Sequence, residues 1–312
     1  VFVTGYGIYR IEHIRNLVGK SEPVNISLIQ GNIDQSVKWN PQYQSETIRI
    51  YRDLSMEASK SKPYLIVWPE TAVPFYFQNI DERHRDVLDI AKNTNAYLLF
   101  GSVSYVREHE RYLFKNSAYM VSPDGSVVGS YDKMHLVPFG EYVPLRKLLF
   151  FVDKLVVGAG DFMPGKGAVP LSINGNNIGV LICYEGIFPE ISARYRKKEC
   201  TLLVNITNDA WYGRTSAPYQ HLTMAAFRTI ENRVYFARAA NTGISAIIDP
   251  TGEVTYRTKL FERSVVNGSV RLLRYSTFYQ IYGNVFVYVC IICLVAICLI
   301  SRVRRPEDDR KH

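Results

Sequence analysis

The sequence predicts an α/β protein followed by one apolar segment near its carboxyl end. Short apolar runs of strand length alternate with longer polar runs of helical periodicity along most of the 312 residues. Two turn sequences, Pro-Asp-Gly at 123–125 and Pro-Thr-Gly at 250–252, each precede a β-branched run and predict hairpins. Residues 281–300 carry no charge. The predicted class therefore rests on alternation, turn chemistry and one terminal apolar run.

Each element is predicted from its own pattern. Strands are predicted where apolar and β-branched residues cluster between turn-forming residues, at 25–30, 64–68, 96–103, 115–121, 177–183, 202–207, 244–248 and 264–270. Helices are predicted in the longer polar stretches between them, at 43–58, 81–93, 188–198 and 220–232. This alternation is the pattern of an α/β fold.

Composition and charge narrow the classes of protein to consider. Hydrophobic residues make up 47% of the chain and charged residues 21%, which is enough for a sizeable buried core and too apolar for a disordered chain. The formal net charge is +8, but the basic residues are scattered, with no stripe that interleaves them with aromatics. We therefore exclude nucleic acid as a partner and expect a basic surface that faces a membrane.

The five cysteines predict neither a disulfide framework nor a metal site. Cys290, Cys293 and Cys298 lie inside the apolar run without histidine or acidic neighbours, which favours packing. Only Cys183 and Cys200 remain in the rest of the chain. We predict no metal and no cofactor, and a lone soluble cysteine becomes a candidate for chemistry.

The chain divides into four predicted segments. Residues 281–301 are expected to form a transmembrane helix, because about 20 apolar residues cross a hydrocarbon core of about 30 Å; a buried core helix is the alternative. Residues 302–312 are expected to be a cytoplasmic tail, since short positively charged tails stay on that side. The preceding domain, at 21–275, would then lie on the outer side. Residues 1–20 are expected to be the stub of a truncated membrane segment, or else a short arm.

Cys183 stands at the predicted end of the strand NIGVLIC, just before a predicted helix. The free N–H groups of a helix N-terminus favour a thiolate and can receive an oxyanion. A buried structural thiol is an equally good reading of this cysteine taken alone.

Two further segments carry candidate acid–base groups. In YLIVWPETAVP an apolar strand ends at Glu70, which lies between two prolines and can serve as a general base. In YDKMHLVPFGEYVP, Lys133 follows a hairpin and Glu141 lies in a turn. An ammonium group beside Cys183 would lower the pKa of the thiol and stabilise an oxyanion.

Together the three segments resemble the nitrilase, or carbon-nitrogen hydrolase, superfamily, whose Glu, Lys and Cys each follow a different strand. The order Glu70, Lys133, Cys183 matches, as do the contexts WPE, KxHLVPFGE and CYE. The resemblance covers residues 24–270 and implies a four-layer α-β-β-α sandwich. It also implies that Glu70 is the general base, Lys133 the oxyanion stabiliser and Cys183 the nucleophile of the domain at 21–275.

Within that superfamily, QGNIDQSVKW, VWPETAVP, HLVPFGEYVPL and NDAWYG resemble the apolipoprotein N-acyltransferase branch. The resemblance implies that a phospholipid donates an acyl chain to Cys183 as a thioester. The acyl chain would then pass to the α-amino group of the diacylglyceryl-cysteine that begins an apolipoprotein. It further implies a place in the bacterial inner membrane, with the catalytic domain on the periplasmic side.

The same resemblance suggests supporting residues. Glu141 would be a carboxylate beside Lys133, Tyr184 and Glu185 would be active-site residues directly after the nucleophile, and Trp39 would lie on a loop near the acyl site. Aromatics are also expected to rim an apolar entrance, with residues 139–151 as a lid; these are Phe75, Tyr76, Phe77, Phe139, Phe150 and Phe151.

Two alternatives remain open. A membrane-anchored amidase of the same superfamily would use the same three residues with water as the acceptor. A non-catalytic membrane interaction module is the second alternative. It would have no need of a glutamate, a lysine and a cysteine at three separate strand ends.

Overall fold

The computed structural model describes residues 2–36, 38–142 and 162–303. Within these ranges the chain forms twelve strands and seven α-helices. The strands are β1 Pro23–Gln30, β2 Leu65–Val67, β3 Tyr97–Glu108, β4 Arg111–Val121, β5 Val127–Asp132, β6 Leu171–Ile173, β7 Asn176–Ile182, β8 Cys200–Thr207, β9 Tyr235–Ala240, β10 Ala246–Ile248, β11 Val254–Arg257 and β12 Ser264–Arg271. The helices are α1 Phe2–Gly19, α2 Pro41–Ser59, α3 Glu82–Thr94, α4 Pro189–Lys197, α5 Ala217–Asn232, α6 Phe278–Tyr282 and α7 Val285–Val303.

The strands form two mixed six-stranded sheets. The first has the order β12-β1-β2-β3-β4-β5, and the second has the order β11-β10-β9-β8-β7-β6. In the first sheet β1, β2 and β3 are parallel, and in the second β7, β8 and β9 are parallel. The carboxyl ends of parallel strands share one edge of a sheet, where polar groups of different segments can meet.

The helices cover the outer faces of the two sheets. α2 and α3 pack on the first sheet, and α4 and α5 pack on the second. Asn40 caps α2 by accepting from the Gln42 N–H, and Asp81 caps α3 by accepting from the His84 N–H at 2.9 Å. These caps satisfy N–H groups that have no partner inside the helix.

Two apolar cores hold the layers together. The core between the sheets contains fully buried residues of both, such as Leu28 and Val67 from the first and Val204 from the second. The other lies between the first sheet and its helices, where Trp68 stacks on Tyr51. The order helix, sheet, sheet, helix is that of a nitrilase-like α/β fold, as predicted.

The strands and helices predicted within residues 21–275 are all present, with ends that differ by a few residues. β6 and β9 were not predicted. β6 has only three residues, and β9 carries an arginine within a fully buried strand. Both features hide the apolar run by which a strand is recognised.

The predicted transmembrane helix at 281–301 is not confirmed. Over residues 2–36, 38–142 and 162–303, no helix meets the length and apolarity needed to cross a membrane. The apolar run is divided at Gly283, where φ is 62°, so that α6 ends before it and α7 begins at Val285. The first two residues of the predicted tail, 302 and 303, belong to α7, and residues 304–312 lie outside the described residues. The segment boundaries stay predictions.

Candidate active site

Glu70, Lys133 and Cys183 come from three strand ends and meet at one place. Glu70 follows β2 by three residues, and Lys133 and Cys183 directly follow β5 and β7. Lys133 Nζ lies 3.8 Å from Glu70 Oε1. The charges of both groups act on the Cys183 thiol. The structure therefore brings together the three residues that the sequence motifs singled out, one from the second sheet and two from the first.

The Glu70 carboxylate is buried, and both of its oxygens are held. Oε1 accepts from Asn116 Nδ2 at 2.7 Å, and Oε2 accepts from the Asn208 backbone N–H at 3.0 Å. The turn that carries Glu70 lies against β3 at Gly101, where an added Cβ would lie 2.8 Å from Glu70 Cα. Glycine at 101 is needed for this close approach, which fixes the position of the carboxylate.

Lys133 is buried and forms a short ion pair with Glu141. Its Nζ donates to Glu141 Oε1 at 2.9 Å, and Asn116 Nδ2 donates to the same oxygen at 2.9 Å. Asn116 thus bridges Glu70 and Glu141. Glu141 lies beside Lys133, as predicted, and the ion pair orients the ammonium group.

The electrostatics favour a protonated thiol beside a charged lysine. Burial lowers the pKa of Lys133, but the charge of Cys183 in its thiolate form and those of the Glu70 and Glu141 carboxylates outweigh it and raise the pKa overall. Burial, followed by the Glu70 charge, raises the pKa of the Cys183 thiol to about 12 against the opposing effect of Lys133. The Lys133 ammonium lowers the thiol pKa, as expected, but burial and the Glu70 carboxylate outweigh that effect. A nearby base must take the proton during attack.

Glu185 is fully buried and binds protein groups. Its oxygens accept from the Tyr131 hydroxyl, from the backbone N–H groups of Met134 and His135 and from the Ile182 N–H, at 2.7–3.0 Å. Glu185 thus connects the segment after Lys133 to the turn that carries Cys183. A direct contact between Glu185 and substrate stays a prediction.

Tyr184 and Trp39 lie at the surface. Tyr184 is 37% exposed and packs edge-on against Phe188, with ring centroids 5.5 Å apart. Trp39 is 49% exposed. Both side chains are accessible to a ligand, and their roles stay predictions.

Two of the aromatic residues expected to rim the entrance, Phe75 and Phe77, do not lie at the surface, so this expectation is wrong for them. Phe75 and Phe77 are buried in the outer core, where Phe77 packs against Phe100 and Tyr119. Tyr76 and Phe139 are exposed. Phe150, Phe151 and most of the expected lid, residues 143–151, lie outside the described residues.

A groove of about 500 Å³ begins beside Tyr184, the residue after Cys183. It runs between the segment after Lys133 and α5, and its lining is mainly apolar with a few polar tips. The lining residues are Val137, Pro138, Tyr184, Ile187, Tyr212, Ala217, Gln220, His221 and Met224. Its size and character suit an elongated apolar ligand.

Some residues of the site were missed by the sequence reasoning. Asn116 bridges the two carboxylates from the middle of β4, and Lys38 donates from Nζ to the Glu70 carbonyl at 3.2 Å. Burial lowers the pKa of Lys38 to about 8, and the Glu70 charge opposes this shift. An amide inside an otherwise apolar strand was the available sign for Asn116. For Lys38 the sequence offers only its place beside Trp39. In the part of the chain that is described, no three His, Cys, Asp or Glu side chains gather as metal ligands.

The chain matches a known protein family over most of its length. A family model described as carbon-nitrogen hydrolase matches residues 25–278. The chain is 50% identical over 270 residues to an apolipoprotein N-acyltransferase of Geobacter metallireducens, covering 86% of this chain and 52% of that protein. It is 34% identical over 294 residues to one of Nitrosomonas europaea, covering 93% and 57%. The chain thus spans about half the length of the curated relatives it matches.

Solved structures share the fold at low identity. A double mutant of the amidase from Nesterenkonia sp. AN1, in complex with acrylamide, superposes with a TM-score of 0.62 at 18% identity, covering 85% of this chain and 95% of that one. A carbon-nitrogen hydrolase from Helicobacter pylori G27 gives a TM-score of 0.61 at 17% identity, covering 80% and 89%. At these identities the likeness concerns the fold.

Proposed function

Because the chain belongs to the carbon-nitrogen hydrolase family, we propose that it carries the acyl-transfer site of an apolipoprotein N-acyltransferase. The observation that carries the proposal is the meeting of Glu70, Lys133 and Cys183, together with an apolar groove lined by Tyr184, the residue after Cys183. The relatives at up to 50% identity support the acyl-transfer reading over hydrolysis.

In the first step Cys183 takes an acyl chain from a phospholipid. The Glu70 carboxylate accepts the thiol proton as Sγ attacks the ester carbonyl carbon, and Lys133 stabilises the oxyanion that forms. The carbon–oxygen bond of the ester then breaks. The lysophospholipid oxygen leaves with the proton held by Glu70, and a thioester remains on Cys183.

In the second step the thioester is aminolysed. The neutral α-amino group of an apolipoprotein diacylglyceryl-cysteine attacks the thioester carbonyl, and Glu70 accepts a proton from that nitrogen. The carbon–sulfur bond breaks, an amide forms, and the proton returns to the Cys183 sulfur. The apolar groove would hold the acyl chain and exclude water, which would otherwise hydrolyse the thioester.

We further propose that the protein works at the bacterial inner membrane with residues 21–275 on the periplasmic side. α7 is apolar from its start to Ile300, and side chains such as Phe286, Ile292 and Ile297 are more than half exposed. Exposed apolar surface of this extent is typical of lipid contact. Residues 281–301 would anchor the domain, 302–312 would form a cytoplasmic tail, and 1–20 would form a second membrane-associated segment.

The test is to identify the acyl acceptor. Detergent-solubilised protein is incubated with phosphatidylethanolamine and a peptide that begins with diacylglyceryl-cysteine, and the peptide is weighed by mass spectrometry. We expect a mass gain of one acyl chain, formed by wild type and absent with Cys183→Ala. Release of free fatty acid without acylated peptide, or of ammonia from simple amides, would instead favour the amidase alternative.

A further inference from the structure

A buried charged cluster lies beneath the proposed nucleophile. It joins Arg238 of β9, Asp209 just after β8 and His221 of α5, all of which are buried. Arg238 Nη2 donates to Asp209 Oδ2 at 2.8 Å and lies 3.0 Å from His221 Nδ1. Burial raises the pKa of Asp209, but the charges and hydrogen bonds of Arg238 and His221 together outweigh it and hold that pKa well below its usual range. Asp209 and Arg238 are therefore a charged pair in the interior.

The other arm of Arg238 reaches the nucleophile turn through one amide. Arg238 Nη1 donates to Asn205 Oδ1. Asn205 Nδ2 in turn donates to the carbonyl of Leu181 at 2.9 Å and to that of Cys183 at 3.1 Å. Because the amide oxygen is held by a guanidinium, the amide nitrogen can only face the turn. The Asn205 side chain thus bridges the two carbonyls on either side of Ile182.

The turn at Cys183 has a backbone conformation that neighbouring contacts must stabilise. Cys183 has a φ of 53°, in the left-handed region that a side chain with a Cβ rarely adopts. Such a conformation persists only where neighbouring contacts determine it, and it is found most often at functional sites. The β7 strand ends at Ile182. A relaxed Cys183 would continue the strand and direct its sulfur differently.

We propose that Asn205, locked by Arg238, is a positioning residue that keeps the Cys183 sulfur facing the Glu70 carboxylate and the Lys133 ammonium. This inference rests on the proposed function, since it assumes that Glu70 serves as the base for the thiol. Asp209 fixes the second arm of Arg238, so Arg238 and Asn205 act on the backbone of the turn and not on substrate.

A purely stabilising role accounts poorly for this arrangement. Removing two charges from water is costly, so that a buried ion pair contributes little net stability compared with apolar packing. The chain offers a comparison in Arg196, which is also buried. Arg196 donates to the carbonyls of Cys200, Leu273 and Tyr275, away from the nucleophile turn. Arg196 is therefore a matched control for the loss of a buried guanidinium.

The experiment is a double-mutant cycle that uses iodoacetamide as the probe. The rate of alkylation of Cys183 is followed on its own peptide by mass spectrometry, which separates it from Cys290, Cys293 and Cys298. In otherwise wild-type protein, Glu70→Gln is expected to slow alkylation at least about tenfold, because the base is lost. In the background of Arg238→Met, or of Asn205→Asp, the same change is expected to alter the rate less than about twofold, because the sulfur no longer faces Glu70.

Asn205→Asp keeps an oxygen for Arg238 and replaces the donor to the two carbonyls with a carboxylate oxygen, so it tests the positioning role of Asn205 even if Arg238→Met fails to fold. Arg196→Met is expected to lower thermal stability and to retain the full effect of Glu70→Gln. Retention of that effect in the Asn205→Asp background would overturn the inference. If Glu70→Gln has no effect in the wild-type background, the proposed base is wrong and the inference falls with it.

Discussion

The two sheets contribute to the site in different ways. On the side of the first sheet, Glu70, Lys133 and Glu141 are held by hydrogen bonds and ion pairs between their own side chains, with Asn116 as the bridge. On the side of the second sheet, Cys183 is held through its backbone, by groups that bind the carbonyls and N–H groups around it. Substitutions on the first side should therefore change protonation and charge, whereas those on the second should change the placement of the sulfur.

The largest effect on the first side is expected from Glu70→Gln. The amide cannot accept the thiol proton, and the rate of acyl transfer should fall by about 10²–10⁴-fold, the usual contribution of a general base. Initial rates of peptide acylation measure this. Glu46→Gln, which alters an exposed glutamate on α2, serves as the control. A fall of less than about tenfold with Glu70→Gln would show that another group takes the proton.

Lys133→Met is expected to have the next largest effect. Methionine keeps most of the side-chain volume but removes the positive charge that faces the oxyanion, and the loss of one such stabilising group costs about 10²–10³-fold in rate. It also leaves Glu70 and Glu141 without their shared cation. The rate of thioester formation in a single turnover measures the effect. Full recovery with Glu141→Gln as a second change would mean that Lys133 only neutralises Glu141.

On the side of the second sheet, Glu185→Gln tests placement. The amide nitrogen would face backbone N–H donors that now bind a carboxylate oxygen, and the free energy of unfolding should fall by about 2–3 kcal/mol. Chemical denaturation measures this. An exposed neighbour on α4, Glu190→Gln, should change stability by less than about 0.5 kcal/mol. Unchanged stability with lost activity would show that Glu185 acts on substrate instead.

The smallest expected effect is a difference in pH dependence between the two sides. Lys38 has a folded pKa of about 8, below its ordinary 10.5, so the unfolded state binds more protons between these values and stability rises with pH there. Cys183 has a folded pKa of about 12, above its ordinary 9.0, so its contribution is present below pH 9 and is lost as the pH rises toward 12.

Denaturation at several pH values should therefore respond oppositely to two substitutions. Lys38→Met should remove a rise in stability above pH 8, and Cys183→Ala should remove a fall above pH 9, each with a slope of at most about 1.4 kcal/mol per pH unit. Parallel curves for wild type and both variants would show that neither group titrates as its burial implies.

The difference between the two sides also explains what could be predicted from the sequence. Glu70, Lys133 and Cys183 each follow an apolar strand, so local patterns were enough to place them at strand ends. Asn116 and Asn205 lie inside strands, where an amide looks like an interruption of the pattern, and only the folded sheets show what they bind. The raised pKa of Cys183 depends on burial between segments far apart in sequence, which no local motif contains.

The strand β9 illustrates the same limit in the fold. All six of its residues are buried, but Arg238 breaks its apolar run. An arginine inside a buried strand is tolerated only because Asp209 and Asn205 receive it, and both belong to other parts of the chain. The strand β9 is therefore hard to recognise from the sequence because of Arg238, the residue that connects it to the turn at Cys183.

The central claim is that Cys183, from the second sheet, reacts with an acyl chain with the help of Glu70 and Lys133 from the first sheet. One experiment tests this claim most directly. Protein incubated with phosphatidylethanolamine alone, without a peptide acceptor, is digested and the Cys183 peptide is weighed. The account predicts a mass gain of one acyl chain on that peptide, removed by hydroxylamine and strongly reduced by Glu70→Gln. An acyl chain found on another residue while the Cys183 peptide keeps its unmodified mass would contradict it.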